Sequence, residues 1–281
     1  MVRIIILCAG QASRWAPKQL KQLVPINDEP LLHRTVRLLR DFGYSDIHIA
    51  HHDPQLHVEG CQHFTPSDSR WVMSTLYSSR HLWTDRTIIL LGDVYFTTNA
   101  LQKILECPSE IQFVGRLGPS SYTGCPSREI FCLLFRDSVH SKLEHVLTNI
   151  MKEAEYLHRA TIRHYYKRTT LYLLWFFRSI QKRKQFHIIR RIRWAHTSTM
   201  WNVNLEKFIS GRLWKIYCAW ANFSLEDRVT ASPFFMHIDD FTEDFDTLQD
   251  YKEWLARFAQ FHTHDAQNHE ILLRNSTLSI P

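Results

Sequence analysis

A chain of 281 residues is long enough for one large domain with a substantial core, or for a domain carrying an insertion. Its apolar share of 44% and charged share of 22% are those of an ordinary globular protein and exclude a disordered or fibrous chain. The formal charge of +6 gathers in the middle, at Arg163, Lys167, Arg168, Arg178, Lys182, Arg183, Lys184, Arg190, Arg191 and Arg193; such a run is usually a solvated helix face, with an anionic partner as the second reading.

Arg3 to Cys8 is a continuous, mostly β-branched run, the pattern of a parallel strand covered on both faces. Pro30 then opens "PLLHRTVRLLRDFG", in which Leu31, Leu32, Thr35, Val36, Leu38, Leu39 and Phe42 fall at helical spacing and Gly43 stands as the stop. "DIHIAHH" is a short strand, a second helix is predicted from about Arg70 to Trp83, and "TIILLGD" is another buried strand ending on an acidic residue. Strand and helix alternate here. The fold class expected is α/β: a Rossmann-like, doubly wound mixed sheet with a helical insertion.

"ALQKIL" is next predicted as a short helix, and "IQFVGRL" and "EIFCLLF" as strands. From Ser138 to about Leu157 and from Ile162 to about Ile192 the pattern becomes helical, basic and aromatic. "FFMHI" resumes as a strand, and Thr247 to Phe261 is a final amphipathic helix, with Thr247-x-x-Asp250 placed as a capping box. The expected organisation is an α/β core over 1–137, a basic helical insertion over 138–232, a return to the core over 233–261 and a tail over 262–281.

Cys8, Cys61, Cys107, Cys125, Cys132 and Cys218 show no C-x-x-C spacing and read as reduced, mostly buried thiols. His51-His52 and His262-x-His264 lack cysteines at ligand spacing, so no zinc site is expected. The first residues read as a strand rather than a signal peptide, and the apolar run Leu171 to Phe177 is far below the ~20 residues of a membrane span. A cytoplasmic protein is expected.

In an open α/β sheet, ligands sit beyond the carboxyl ends of the strands, which singles out "ILCAGQASRW" after the first strand. Gly10, Ala12 and Ser13 are small enough for the backbone to approach phosphate oxygens, Arg14 adds a permanently charged fork, and Lys18 and Lys21 follow. By itself this run also fits a structural turn with incidental charges. Neither G-x-x-x-x-G-K-[ST] nor G-x-G-x-x-G is present.

The fuller stretch through "DIHI" resembles the opening of the nucleotidyltransferase superfamily, which includes sugar-phosphate nucleotidylyltransferases, molybdopterin guanylyltransferases and phosphocholine cytidylyltransferases. The family pattern L-A-A-G-x-G-x-R is matched by Leu7, Cys8, Ala9, Gly10, Gln11, Ala12, Ser13 and Arg14, and the spacing to Pro30 favours Lys21 as the phosphate lysine. Ala12 stands at the second glycine, and Asp28-Glu29 replaces a Gly-Lys pair. "TIILLGDVYF" is similar to the segment whose aspartate binds metal, here Asp93, and "DDFTEDFDTLQDYKEWL" is similar to the closing acidic segment, with Asp246 as first choice and Asp244 as second. A helix N-cap is the competing role for both Asp93 and Asp246.

The resemblance implies Mg²⁺ on Asp93, Asp246 and Asp244, with Arg14, Lys21 and Asp93 in catalytic roles. It implies nucleotide contacts from Leu7, Ala9, Gly10, Gln11, Ala12, Ser13, Arg14, Lys21 and Gly92. Ser74 and Thr75 are candidates for the base or ribose, and Arg116, Arg128 and Arg168 for the acceptor. Trp71 could join an aromatic cage for a cationic substrate, although core packing explains nine tryptophans more economically. The implied activity is transfer of a nucleotidyl group from CTP or UTP to a small phosphorylated acceptor, a sugar phosphate or phosphocholine-like, with release of pyrophosphate. Two alternatives remain open at this point: a GT-A-type glycosyltransferase in which Asp93-Val94-Tyr95 is a degenerate D-x-D, and an inactive nucleic-acid-binding or assembly protein.

Overall fold

The computed structural model describes residues 1–10, 15, 19–126, 128–153, 155, 213–221 and 232–261. Its centre is a seven-stranded mixed sheet built on β1 (Val2–Leu7), flanked by β4 (Ile47–Ala50) and β6 (Arg86–Leu91), both parallel to it. β5 (Gln62–Phe64) extends the β4 side. On the other side follow β9 (Glu129–Arg136), β8 (Ile111–Arg116) and β10 (Phe235–His237), giving the order β10-β8-β9-β6-β1-β4-β5, with β9 antiparallel to both neighbours. The chain leaves β1 toward β4 and returns to β1's other side at β6. The crevice beyond the carboxyl ends of β1 and β6 is therefore the topological switch point, where ligands of open α/β sheets bind.

Two-residue periodicity explains the unbroken apolar run of β1. Ile4 and Ile6 face α1 (Leu31–Asp41) and α3 (Thr98–Glu106), while Ile5 and Leu7 face the opposite layer of α2 (Val72–Ser78), α4 (140–153) and α5 (Leu213–Ala221). Each face carries an apolar layer, with Leu32, Val36 and Ile104 on one side and Leu143, Ile216 and Tyr217 on the other. β9 ends at Arg136, and α4 and α5, which fall within the segment expected as an insertion, cover the same sheet. The remainder of 138–232, including the basic run and the helix expected over 162–192, lies outside the described residues, as do Cys218's side chain and the tail.

Local signals set most element ends. Gly43 closes α1 at φ +86, with its amide on the Arg40 carbonyl and the Tyr44 amide on that of Leu39, a Schellman ending. Thr97 caps α3 by accepting from the Ala100 amide at 3.0 Å. The helix expected from Arg70 to Trp83 is shorter, because Ser79, fully buried, turns its hydroxyl onto the Leu76 carbonyl and hands the chain to a 3-10 turn over Arg80–Leu82.

A third apolar cluster supports the rim of the crevice. The helix over 248–261, α6, inserts Tyr251, Trp254 and Phe258 among Trp15, Val24, Tyr95 and Phe245. Trp254 donates its indole N–H to the Phe241 carbonyl at 2.9 Å, and Tyr251 its hydroxyl to the Pro25 carbonyl at 2.6 Å. The C-terminal helix thereby ties the strand pair β2 (Pro25–Ile26) and β3 (Glu29–Pro30) to the acidic segment at 239–246.

Candidate active site

The ends of β1 and β6 meet closely. Leu7 pairs with Leu91, and the Gly92 amide donates to the Leu7 carbonyl at 3.0 Å. A Cβ at position 92 would lie 2.2 Å from the Cys8 Sγ and 3.1 Å from that carbonyl oxygen, so glycine is what lets the two strand ends close. Leu7, Cys8 and Ala9 are buried and the chain reaches solvent at Gly10, where a Cβ would meet nothing within 4 Å. Gln11, Ala12, Ser13 and Arg14 lie outside the described residues.

Asp93 follows Gly92 directly and so stands at the crevice. Lys21 arrives from a 3-10 turn over Lys21–Leu23, which is held to the start of α1 by the Leu31 amide on the Val24 carbonyl at 2.9 Å. The next turn, between β2 and β3, runs through Asn27 and Asp28 at φ +49 and +64. Asp28 is the position where the family pattern has glycine, and an aspartate is among the few other residues that tolerate this left-handed backbone. The Lys21 Nζ donates to the Asp93 Oδ2 at 2.7 Å and to the Phe245 carbonyl at 3.1 Å.

The second acidic group comes from the far end of the chain. β7 (Val94–Tyr95) pairs antiparallel with β11 (Glu243–Asp244), Val94 opposite Asp244 and Tyr95 opposite Glu243. That register carries Asp244 and the Phe245 carbonyl to the Lys21–Asp93 pair. The competing N-cap roles go elsewhere. Thr97 caps α3, and at α6 the Thr247 hydroxyl accepts from the Asp250 amide at 3.2 Å while the Asp250 carboxylate accepts from the Thr247 amide at 2.7 Å.

Electrostatics at the cluster are strongly skewed. Burial penalises the Lys21 ammonium, but Asp93, Asp244 and Asp246 outweigh that penalty and hold it protonated far beyond an ordinary lysine. Burial, reinforced by the neighbouring Asp93, pushes the Asp244 carboxyl well above the usual carboxylate range despite the opposing Lys21 charge. The Asp244 Oδ1 is buried with no hydrogen-bond partner among the described residues. Cys8, beneath the site, is pushed up by burial and by Asp93, so it is an inert thiol there.

An unpartnered buried carboxylate oxygen beside a second carboxylate is the donor chemistry a hard divalent cation takes. Among the described residues no three His, Cys, Asp or Glu side chains form a ready-made cage. Mg²⁺ is commonly held by one or two carboxylates with phosphate and water completing its shell. The site residues present fit such an ion.

Other candidates have different partners. Ser74 and Thr75 are 1% and 3% exposed, and both hydroxyls donate to the Trp71 carbonyl, with the Ser74 Oγ also accepting the Trp71 amide at 3.0 Å. They build the start of α2. The Trp71 ring is covered by the Arg70 guanidinium at 4.8 Å. The expectation that Arg116 contacts an acceptor is corrected: it is 1% exposed and paired with Glu243 at 2.9 Å, and a guanidinium enclosed in that way cannot reach a solvent-borne ligand. Arg128 precedes β9, and Arg168 lies outside the described residues. Sequence reasoning missed Glu243 and the Phe245 carbonyl; the "TEDFD" run held the only signal, since alternation along a strand puts neighbouring acids on opposite faces.

Asp93 and Lys21 meet at the switch point of a mixed α/β sheet, the place where ligands of such sheets bind. The chain matches the MobA-like NTP transferase domain over residues 4–161, more than half its length, and it belongs to that family of nucleotidyltransferases. No curated protein sequence matches it. Solved structures with a similar chain course include the CTP:phosphocholine cytidylyltransferase of Streptococcus pneumoniae, 13% identical, with 91% of this chain and 98% of that one covered at a TM-score of 0.48. HddC of Yersinia pseudotuberculosis in complex with GMP-PN is 14% identical, covering 50% and 78% at 0.37. At these identities and scores the likeness assigns no substrate.

Proposed function

We propose that this nucleotidyltransferase transfers a nucleoside monophosphate, from CTP or UTP first, to a small phosphorylated acceptor, a sugar phosphate or phosphocholine-like, with Mg²⁺ as cofactor. The observation that carries the reading is the meeting of Lys21, Asp93 and Asp244 at the carboxyl ends of β1 and β6. An acceptor phosphate oxygen attacks the α-phosphorus in line, forming one P–O bond as the bond to the β-phosphate breaks and pyrophosphate leaves. A phosphate nucleophile is already anionic at neutral pH, so no general base is required and positioning with charge neutralisation supplies the catalysis.

Lys21 binds the triphosphate and the departing pyrophosphate, and Arg14 joins it from the loop after β1, whose Gly10–Ser13 amides cradle the phosphates. Leu7, Ala9 and Gly92 form the closed floor beneath. Asp93 would hold the divalent ion together with Asp246 or Asp244, and the ion would supply charge neutralisation at the α-phosphate. The acceptor side is the loop from Tyr122 to Arg128 together with the basic middle of the chain. A cytoplasmic setting accords with the cysteine pattern, and no helix among the described residues is long and apolar enough to cross a membrane.

The glycosyltransferase alternative loses support at Tyr95. The third position of the supposed D-x-D is 4% exposed and packed against Trp254, with ring centroids 4.5 Å apart. The test of the proposed activity is pyrophosphate release from each of the four nucleoside triphosphates with MgCl₂ and a panel of sugar phosphates and phosphocholine. Release that needs a pyrimidine triphosphate, metal and one acceptor is expected, and its loss in Asp93→Asn with the fold retained. Release unaffected by Asp93→Asn contradicts the reading.

A further inference from the structure

β11 is only two residues long, and so short a ladder is a weak hold on the strand that carries part of the site. Side chains alternate along a strand, so Asp244 and Glu243 leave β11 on opposite faces. Asp244 turns to Asp93 and Lys21, while Glu243 is 3% exposed and accepts from both terminal nitrogens of Arg116, at 3.1 and 2.9 Å. This is a bidentate fork, the arrangement that fixes orientation as well as charge.

The fork is itself built in. Arg116 ends β8 just after a bulge between Val114 and Gly115, and Gly115 is required there, since a Cβ would lie 2.0 Å from the Glu129 carbonyl oxygen. The Glu243 Oε2, which takes one prong of the fork, also accepts the Thr123 hydroxyl. Thr123 sits in a turn closed by the Ser120 amide on the Cys125 carbonyl at 2.9 Å, with the Ser120 hydroxyl accepting the amides of Tyr122 and Thr123. A buried ion pair stabilises a fold little more than an apolar pair of similar volume, so stability alone does not account for it.

We infer that Arg116 and Glu243 are positioning residues for nucleotidyl transfer: their buried fork orients β11 so that Asp244 and Asp246 face Asp93 and Lys21, and Thr123 suspends the 120–125 turn from the same carboxylate. The inference rests on the metal-binding reading proposed above. The turn lies on the acceptor side, so one carboxylate joins the acceptor loop to the metal strand.

The experiment is a titration of the full chain with Mn²⁺ alone, read as loss of the free-ion electron paramagnetic resonance signal, below the melting temperature of every variant. Glu243→Gln keeps the shape and removes the charge, and by loosening the strand that carries Asp244 it is expected to bind Mn²⁺ about tenfold more weakly or worse, the low end of what loss of support behind a metal ligand costs. Leu143→Ala, a cavity on the far face of the sheet, destabilises without touching β11 and is expected to keep wild-type affinity. Asp93→Asn is run beside them. If it loses Mn²⁺ while Glu243→Gln does not, the positioning role is overturned and the metal reading stands; if neither loses Mn²⁺, both fall. Should Glu243→Gln fail to fold, Arg116→Lys, which keeps the cation and gives up the two-pronged fork, is expected to weaken binding about tenfold, and unchanged affinity there overturns the inference.

Discussion

The Lys21 ammonium lies 2.7 Å from the Asp93 carboxylate across 72 residues of chain, and the carbonyl of Phe245, more than 220 residues from Lys21, completes its coordination. The lysine neutralises carboxylates that the proposed reaction assigns to a divalent ion. Lys21→Met is therefore expected to act in opposite directions on two readouts. Turnover falls by about 10²–10³, the usual effect of removing a charge that stabilises the transition state. Affinity for Mn²⁺ without nucleotide rises about tenfold, because an attraction between unit charges at this distance well exceeds ~1.4 kcal/mol near a protein surface. Turnover by steady-state kinetics and Mn²⁺ binding by paramagnetic resonance check the two halves separately.

Asp244 predicts a pH dependence. Its folded pKa is raised by burial and by Asp93, so the group favours folding while protonated, and that contribution is complete below its unfolded value of about 4. As pH rises toward the raised folded pKa, the unfolded chain ionises more readily than the folded one and the contribution is lost. Asp244→Asn removes the titration. With a chelator present, the wild-type melting temperature is expected to decline from pH 5 to pH 8 more steeply than that of Asp244→Asn, and differential scanning calorimetry across that range measures it.

Gly92→Ala brings a methyl against the Cys8 sulfur and the Leu7 carbonyl oxygen, at 2.2 and 3.1 Å. Overpacking of this kind costs about 1–3 kcal/mol. Cys8→Ala removes the nearer obstacle, so the double variant is expected to recover part of the loss. A double-mutant cycle in urea reads the coupling directly.

Ser74→Ala deletes both the acceptor for the Trp71 amide and the donor to the Trp71 carbonyl. Loss of about 1 kcal/mol of stability is expected, the usual cost of an N-terminal helix cap. Urea unfolding of the single variant measures it.

Six of the seven strands and most of the helices were legible because each carries its period openly, whereas β5 and α5 were not anticipated. The all-apolar β1 announces two covered faces, α1 carries its stripe and its closing Gly43, and Thr247-x-x-Asp250 forms the capping box that its spacing suggests. Asp93 and Lys21 were legible only through family resemblance, since nothing local in either says that they meet. β7 and β11 were not visible at all. Each is two residues long, too short for periodicity, and their pairing spans about 150 residues of chain. Arg116 misled for a related reason: a charged residue at a strand end reads as exposed until its buried partner, Glu243, is brought in from the distant segment.

Isothermal titration with CTP carrying a methylene in place of the α,β-bridging oxygen, in excess MgCl₂, tests the central claim most directly. Such a ligand binds but cannot be cleaved. One molar equivalent is expected to bind the wild-type chain, with binding lost in Asp93→Asn and weakened in Lys21→Met while both variants keep the wild-type circular dichroism spectrum. Equal affinity in all three proteins, with or without Mg²⁺, would contradict a triphosphate site built on Lys21 and Asp93.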